Sequence, residues 1–284
     1  MLNKITVFFN LIKFEHSLFA LPFAYLGLFL AGGGFPQFHI FLWVTVAMVA
    51  IRTSAMSLNR LIDQAIDEKN PRTKQRGDSL RMLRRPVVWV ITFVSIAIFL
   101  VACAQLNPLC FALSPIPILF VWIYPSLKKI TWLSHLFLGM ILGIAPYGGW
   151  LAARAQWSWI PVLLVLAVAA WVSGFDMFYA LQDVEFDRME NLKSFPVRFG
   201  VEKAMVAARW LHGVTLVALG ALGVILRLGF WYWTGWLVIV GLIVREHRLV
   251  SRFGVGKINE AFFNMNAWVS VIIFIATAID VTLS

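Results

Sequence analysis

Charged side chains are scarce in this sequence of 284 residues. Lys, Arg, Asp and Glu make up 13% of it and hydrophobic residues 61%, whereas soluble domains usually contain about 25% charged and 45–50% apolar residues. A disordered chain needs the opposite balance. A water-soluble globule is disfavoured as well, because its surface would have to cover more apolar area than a globule can hide. The composition predicts a protein whose solvent is the lipid bilayer.

Motifs for several common chemistries are missing. Only two cysteines are present, Cys103 and Cys110, and both lie in an apolar stretch, so neither a disulfide framework nor a cysteine metal site is expected. The five histidines lack metal-ligand spacing. There is no Ser-His-Asp set, no Gly-rich phosphate loop and no Cys-x-x-Cys motif. No signal peptide with a cleavage site is recognised, and we interpret the first apolar run as the first membrane span.

Long apolar runs dominate what is present. A membrane-spanning helix needs about 20 apolar residues, and breakers such as Asn107-Pro108 separate the candidates. The sequence lacks the alternation of a membrane barrel, so the spans are predicted to be helices. We predict an all-α polytopic membrane protein with nine transmembrane helices, at 17–34, 40–60, 87–106, 108–125, 132–152, 158–183, 204–227, 229–245 and 261–281.

The net charge of +10 could suggest nucleic-acid binding, but the positions of the charges argue against it. Lys and Arg fall in short clusters between the apolar runs, as in the cytoplasmic loops of membrane proteins. With a cytoplasmic N-terminus, 21 of the 24 basic residues are cytoplasmic and only Arg154 and Arg227 are in outer loops. This bias predicts the orientation, and the two long charged loops become the expected place for chemistry.

Oxygen-bearing side chains line the end of the second predicted span. Asn59, Asp63 and Asp67, here called the first acidic motif, are four residues apart and would form a stripe about 12 Å long on one helix face. Such a stripe suits Mg²⁺, which takes one or two carboxylates and leaves its other positions to water and substrate phosphates. The alternative is a solvated helix end.

The end of the sixth predicted span has a similar pattern. Asp176, Asp183 and Asp187, the second acidic motif, have spacings of seven and four that place them on one helix face. Asp176 lies nearly two turns inside an apolar span, where a carboxylate costs roughly 2.5–3.5 kcal/mol and is a functional candidate. Two acidic motifs facing each other across a cavity would repel, and divalent cations would remove that repulsion.

Basic residues near these motifs are candidates for binding an anion. Tyr124 and Lys128 close the fourth predicted span and can both reach a phosphate oxygen, while Arg72, Lys193 and Arg198 lie in the two charged loops. The alternative for all five is ordinary anchoring at the cytoplasmic membrane surface.

Arg52 differs from the other bases because it lies inside the second predicted span, two turns before Asn59. A buried Arg needs an acidic partner. That partner is either a carboxylate of an acidic motif or the carboxylate of a substrate, which Arg52 could bind through two parallel hydrogen bonds.

Together these motifs resemble the UbiA superfamily of intramembrane aromatic prenyltransferases. The first acidic motif is similar to the first motif of that family, the second to its second motif, and Tyr124-x-x-x-Lys128 to its third element. Residues 12–25 and 174–200 look like 4-hydroxybenzoate polyprenyltransferases, particularly the branch linked to menaquinone made through futalosine. Residues 74–85 depart from the family's usual Arg-x-x-Pro-x-Gly-like turn.

The resemblance implies a single domain over residues 1–284, with nine helices bundled around a central cavity and loops at about 61–86 and 184–203 capping the site. It implies Mg²⁺ held by Asn59, Asp63, Asp67, Asp183 and Asp187. The substrates would be a polyprenyl diphosphate and a small aromatic acid, most simply 4-hydroxybenzoate, for ubiquinone or menaquinone biosynthesis. The resemblance also implies the bacterial inner membrane, with the site facing the cytoplasm.

Individual roles follow from the same resemblance. Arg52 would hold the carboxylate of the aromatic acid, Asp183 or Asp187 would orient its phenol, and Asp176 would match an upstream aspartate of the second family motif. Two alternatives stay open: a cation-coupled transporter, which would also contain intramembrane Asp and Arg, and a family member that binds lipid without catalysis. The sequence identifies no protein partner, and nucleic-acid binding is not expected.

Overall fold

The structure of the protein, a computed structural model, describes residues 4–12, 14–253 and 258–283. Every regular element in these ranges is helical and none is a strand, as predicted. The stretch 12–25, on which part of the family resemblance rests, is only partly described. Residue 13 and the side chains of residues 14–19 lie outside the described part of the structure.

Fifteen α-helices are present in the described ranges. The first seven are α1 (Lys4–Ile12), α2 (Phe14–Gly32), α3 (Phe38–Lys69), α4 (Lys74–Leu83), α5 (Arg85–Leu106), α6 (Pro108–Leu113) and α7 (Pro115–Ile123). After a 3₁₀ turn at Tyr124–Ser126 come α8 (Leu127–Ile130), α9 (Ser134–Arg154) and α10 (Ile160–Ala180). A second 3₁₀ turn at Leu181–Asp183 precedes α11 (Val184–Met189), α12 (Phe195–Phe199), α13 (Val201–Ile225), α14 (Phe230–Phe253) and α15 (Ile258–Leu283).

Six helical stretches among the described residues are long and apolar enough to cross a membrane. They are Phe38–Lys69, Arg85–Leu106, Pro108–Ile130, Ser134–Arg154, Ile160–Met189 and Val201–Ile225. Two shorter apolar helices, Ala20–Gly32 and Trp268–Leu283, fall in the first and last predicted spans. The remaining interval, 229–245, lies in α14, whose second half is charged. Nine transmembrane helices therefore stay a prediction.

Proline and asparagine divide the helices where the sequence indicates. Asn107 is extended at the end of α5, and its side-chain oxygen accepts a hydrogen bond from the Cys110 backbone nitrogen at 2.9 Å. This N-cap starts α6, whose first residue is Pro108, a favourable position because proline lacks the hydrogen that a first-turn residue would leave unused.

The long helices form a closed cycle of neighbours. Helix α2 packs on α9, α9 on α10, α10 on α13, α13 on α14, α14 on α15, and α15 returns to α2. Helix α3 packs beside this cycle against α5 and α2. A buried apolar cluster that includes Phe23, Trp150 and Trp171 joins the helices of the cycle. A second cluster, which includes Leu28 of α2 and Val44 of α3, joins α3 to it.

Small residues set the distance between three of these helices. A Cβ atom at Gly149 of α9 would lie 2.0 Å from the Ala24 carbonyl oxygen of α2, and one at Gly139 would lie 2.2 Å from the Ala169 carbonyl oxygen of α10. Backbones approach this closely in membrane helices only where side chains are small. These contacts fix α2, α9 and α10 relative to one another.

The atypical segment after residue 73 forms a helix rather than an open loop. In α4, Leu80 is buried against Leu11, Leu61 and Val88, which come from α1, α3 and α5. The sequence departure at 74–85 therefore has an apolar anchor, and it leaves residues 70–73 directly beside the end of α3.

Candidate active site

The first acidic motif lies on the last turns of α3, which stays helical through Lys69. The Asn59 Nδ2 donates a hydrogen bond to Asp63 Oδ2 at 2.8 Å, so these two side chains are adjacent as the spacing predicts. Asp67 is buried and forms an ion pair at 3.7 Å with Arg60. Arg60 also donates to the Leu11 carbonyl oxygen, which ties α1 to the motif.

The second acidic motif spans a change in helix type. Helix α10 ends at Ala180, Asp183 ends the following 3₁₀ turn, and Asp187 lies in α11. Asp183 is held by the Arg72 guanidinium, whose Nε donates to Oδ1 at 2.9 Å and whose terminal nitrogen donates to Oδ2. The Asn70 Nδ2 donates to the same Oδ1 at 3.2 Å. The segment between α3 and α4 thus binds directly to the second motif.

Arg72 has a second partner in Tyr179, one turn before Asp183. Its terminal nitrogen donates to the Tyr179 hydroxyl oxygen at 2.8 Å, and its central carbon lies 4.9 Å from the centre of the Tyr179 ring. Burial alone would lower the pKa of Arg72, but the hydrogen bonds and charge of Asp183 outweigh that effect and the net pKa is raised. Arg72 is therefore a permanent cation beside Asp183.

Lys128 lies between the two acidic motifs. Its Nζ is 3.7 Å from Asp187 Oδ2, and its charge interacts with both Asp63 and Asp183. Asp187 is buried, and its Oδ2 has no hydrogen-bond partner among the described residues. The structure thus brings together Lys128 and carboxylates from both motifs, and one of the buried carboxylate oxygens has an ion pair but, within the described part of the chain, no hydrogen bond.

Asp176 takes part in a different network. Its Oδ2 lies 2.6 Å from the Nδ1 of His135, whose Nε2 is 3.4 Å from the Phe195 backbone nitrogen. Because a backbone N–H can only donate, the His135 Nε2 accepts and its Nδ1 carries the proton that it donates to Asp176. This chain of hydrogen bonds joins α10, α9 and α12, and it positions the segment that follows the second motif.

The two other cations predicted in the charged loops, Lys193 and Arg198, contact protein groups near Lys128. The Lys193 backbone nitrogen donates to the Lys128 carbonyl oxygen at 2.6 Å, and its Nζ donates to the Ile130 carbonyl oxygen at 3.1 Å. The Arg198 guanidinium lies over the rings of Trp132 and Phe199. Both hold the 184–203 segment near Lys128, and their role as phosphate ligands stays a prediction.

Arg52 lies deeper along α3 than the acidic motifs. Its Nε is buried without a hydrogen-bond partner, and within the described ranges Arg52 forms no ion pair. The hydroxyl group of Tyr124 is close enough to interact with it electrostatically. Of its two expected partners, a carboxylate of a motif is thus absent from the described contacts, and Arg52 is left with an unused donor.

The donor set suits a hard cation that shares its coordination with a ligand. In the described part of the chain no three His, Cys, Asp or Glu side chains converge into a complete metal cage. Mg²⁺ needs only one or two carboxylates when phosphates and water complete its octahedron. Asp63 with Asn59, and Asp187, whose Oδ2 accepts no hydrogen bond among the described residues, supply such partial sets.

Three residues of this site were not expected from the sequence: Asn70, Tyr179 and His135. Asn70 and Tyr179 are close in sequence to Arg72 and Asp183, so their positions offered a signal. His135 had none, because it is 41 residues from Asp176 and lacks any motif.

Comparisons with known proteins identify the family of the chain. The UbiA prenyltransferase family matches residues 20–269. The 4-hydroxybenzoate octaprenyltransferase of Vibrio campbellii is 30% identical over 89% of this chain and 88% of its own length, and that of Marinobacter nauticus is 29% identical over 90% and 87%.

Solved structures share the fold. The apo structure of a UbiA homolog from Aeropyrum pernix K1 has a TM-score of 0.85, with 30% identity over 94% of this chain and 98% of that one. A UbiA homolog from Archaeoglobus fulgidus bound to DMAPP and Mg²⁺ has a TM-score of 0.76, with 17% identity over 96% and 98%. With the family's sequence pattern, a helical membrane fold and two acidic motifs at neighbouring helix ends, the chain is a member of the UbiA prenyltransferase family.

Proposed function

We propose that this protein transfers a polyprenyl group from a polyprenyl diphosphate to the ring of a hydroxylated aromatic acid, 4-hydroxybenzoate, in quinone biosynthesis. The observation that carries the proposal is the meeting of Asp63, Asp183 and Asp187 around Lys128. Relatives about 30% identical over most of their length are named for this activity, which supports the choice of acceptor.

The diphosphate end of the donor would be held by the residues between the two motifs. Lys128 and Tyr124 would bind its non-bridging oxygens, and Arg72 would turn one of its terminal nitrogens from Tyr179 to the phosphate. Lys193 and Arg198 would keep the capping segment near the phosphate. Lys and Arg suit this role because charge-assisted hydrogen bonds to phosphate are about twice as strong as neutral ones.

Mg²⁺ would be held by Asn59, Asp63 and Asp67 on one side and Asp183 and Asp187 on the other. When bound, it would stabilise the negative charge that develops on the leaving diphosphate. Arg72 and Lys128 neutralise Asp183 and Asp187 in the structure described. Loading the site would therefore require these two cations to shift from the carboxylates to the phosphate oxygens.

The acceptor would lie deeper than the diphosphate, next to Arg52. Asn59 and Arg52 are seven residues apart on α3, or about 10 Å along the axis, which leaves room for one aromatic ring. The unused donor of Arg52 would bind the carboxylate of the acid, and Tyr124 would lie beside the same ring.

The chemistry proceeds by ionisation and substitution. The allylic C–O bond breaks, and its electron pair leaves with the diphosphate. The resulting allylic cation forms a C–C bond with the ring carbon next to the hydroxyl group, and loss of the proton from that carbon restores aromaticity. Asp183 or Asp187 would orient the phenol, and Asp176 would act through His135 to hold the segment around them. Apolar walls exclude the water that would otherwise capture the cation.

We also propose the finer architecture that this function needs. Nine transmembrane helices would surround the site in the bacterial inner membrane, with the N-terminus and the mouth of the site on the cytoplasmic side. Segments 61–86 and 184–203 would cap it. The distribution of Lys and Arg supports this orientation.

The decisive test is an assay of membranes containing the protein, with radiolabelled polyprenyl diphosphate and 4-hydroxybenzoate. We expect prenylated 4-hydroxybenzoate to form with Mg²⁺ and to be abolished by EDTA. Binding of the diphosphate without product would identify a non-catalytic family member. Cation-dependent uptake into vesicles, without product, would identify a transporter. Either result would overturn the proposal.

A further inference from the structure

A cavity lies between α13 and α14, away from the acidic motifs. Its volume is about 650 Å³, and its polar lining consists of Arg209 from α13 and His247, Arg248, Ser251 and Arg252 from α14. The Arg209 terminal nitrogen lies 3.5 Å from the Ser251 hydroxyl oxygen, so the two helices meet across it. No residue of either acidic motif lines this α13–α14 cavity, and the prenyl transfer proposed above does not use it.

The charge of the cavity indicates an anionic ligand. Three guanidinium groups reach it from two helices, and none of the described residues that line it is a carboxylate. Guanidinium groups bind phosphate oxygens through paired hydrogen bonds. Arginines that serve only to retain a loop on the cytoplasmic side need not line a common cavity.

One residue of the lining, His247, is held in place by a hydrogen bond to His212. The His212 Nε2 is 3.3 Å from the Trp171 carbonyl oxygen, and its Nδ1 is 2.9 Å from the His247 Nε2. A carbonyl oxygen can only accept, so the His212 Nε2 donates to it, and the His247 Nε2 donates to the His212 Nδ1. This relay fixes the His247 ring and leaves phosphate binding to the arginines.

Apolar surroundings favour a lipid over a free phosphate ion. Ile243 and Val244 form the rest of the lining, and Val244 is the last residue of the apolar half of α14 before Arg245. Trp210, next to Arg209 in sequence, is 76% exposed, as is typical of an aromatic side chain at the membrane interface. The lining thus changes from apolar to basic along α14, which is the pattern that a lipid headgroup with its acyl chain requires.

We propose that the α13–α14 cavity binds the headgroup phosphate of an anionic phospholipid. Arg209 and Arg248 hold the phosphate oxygens, Arg252 adds positive charge, and an acyl chain follows the apolar surface at Ile243 and Val244. The site is close to α10, because the His247 ring is 5.0 Å from that of Phe178. A bound lipid therefore stabilises the packing of α14 on α10.

The test is native mass spectrometry of the detergent-solubilised protein titrated with phosphatidylglycerol or phosphatidylcholine. We expect phosphatidylglycerol to bind at least about 10-fold more tightly, and Arg209→Gln/Arg248→Gln to lose that preference, since each basic residue near the surface contributes roughly a factor of five. The matched control is Lys203→Gln/Arg245→Gln, which removes one exposed positive charge from each of the same helices outside the cavity and should leave the preference intact.

Three results would overturn the proposal: equal binding of the two lipids by the natural chain, an unchanged preference in the Arg209/Arg248 variant, or an equal loss in the control. Inorganic phosphate is added in a separate arm. Displacement of phosphatidylglycerol by low-millimolar phosphate would identify a free-phosphate site and would also reject a lipid. The single variants Arg209→Gln and Arg248→Gln should each show a partial loss, which keeps the test decisive if the double variant does not fold.

Discussion

Opposite charges that lie together in this site explain how so many carboxylates are tolerated near a membrane surface. Asp183 is bound by Arg72, Asp187 is paired with Lys128, and Asp67 with Arg60. A buried carboxylate without a partner is strongly destabilising, and a nearby cation offsets much of the cost of removing it from water. The same cations can bind a diphosphate, so the groups that pair with these carboxylates are also candidates for binding the substrate.

Removing single carboxylates should distinguish acids that act in catalysis from acids that only lie nearby. We expect Asp63→Ala and Asp183→Ala each to lower the rate of prenyl transfer by about 10²–10⁴, equivalent to about 3–5 kcal/mol of transition-state stabilisation. Asp78→Ala, which removes an exposed acid from the neighbouring α4, should be near normal. Turnover in membranes measures this, and near-normal rates in both site variants would reject a role for the two motifs.

Arg52 should determine affinity for the aromatic acid. Its buried Nε lacks a protein partner, and a planar guanidinium can bind a carboxylate through two hydrogen bonds that Lys cannot reproduce. We expect Arg52→Lys to raise the KM for 4-hydroxybenzoate about 10-fold or more, from the roughly 1.5–3 kcal/mol of a charged hydrogen bond. The KM for the prenyl diphosphate serves as the internal control and should change little. A rise in that constant alone would assign Arg52 to the diphosphate.

Close contact between α2 and α9 gives a test of helix packing with a neighbouring control. A Cβ atom at Gly149 would lie 2.0 Å from the Ala24 carbonyl oxygen, whereas one at Gly148 would meet nothing within 4 Å. We expect Gly149→Ala to destabilise the protein by about 1–3 kcal/mol, the usual cost of overpacking, and Gly148→Ala to have little effect. Thermal inactivation in detergent measures both, and equal stability of the two variants would show that the helices separate without cost.

Helix positions could be predicted from the sequence better than helix ends. Apolar runs and breakers predicted α3, α5, α9, α10 and α13 because burial in lipid requires long apolar helices. The change to a 3₁₀ turn at Leu181–Asp183 had no such signal, because the polar residues there are compatible with a continuing helix. It depends on tertiary contacts, since Arg72 and Asn70 hold Asp183 from 111 and 113 residues away.

Asp280, near the C-terminus, is a second case in which distant contacts could not be predicted from the local sequence. From the sequence it is the one acid that is neither in nor near a segment predicted to be cytoplasmic, and no role could be predicted for it. In the structure its carboxylate accepts hydrogen bonds from the backbone nitrogens of Gly229, Trp231 and Tyr232. These groups begin α14 and have no partner inside that helix. A helix cap supplied from about 50 residues away leaves no local pattern in the sequence.

At the scale of the whole protein, the residues of the candidate site could be predicted from the sequence, but their pairing could not. The acidic residues were identifiable because their spacing is local to one helix end each, and Tyr124 and Lys128 because they close a span. Which cation pairs with which carboxylate could not be predicted, since the pairing depends on how α3, α10 and α8 meet. Arg60, read from the sequence as an ordinary cytoplasmic charge, is buried and pairs with Asp67.

The orientation of the protein in the membrane is predicted from the distribution of its Lys and Arg residues. Of the 24 Lys and Arg residues, 21 fall in segments predicted to be cytoplasmic, and basic residues near span ends are retained on that side. Asp78 in α4 is exposed and should face the cytoplasm, while Gln156, between α9 and α10, is exposed and should face outward. Both native cysteines are buried, so labelling of introduced cysteines has a low background.

We therefore expect an impermeant thiol reagent added to intact cells to label Gln156→Cys but not Asp78→Cys. In inside-out vesicles the pattern should reverse. Both variants should be labelled equally after detergent solubilisation, which controls for reactivity of the two positions. Labelling of Asp78→Cys from outside intact cells would invert the orientation. The acidic motifs would then face away from the cytoplasm, because Asp78 in α4 and the residues that bind Asp183 belong to the same segment after α3.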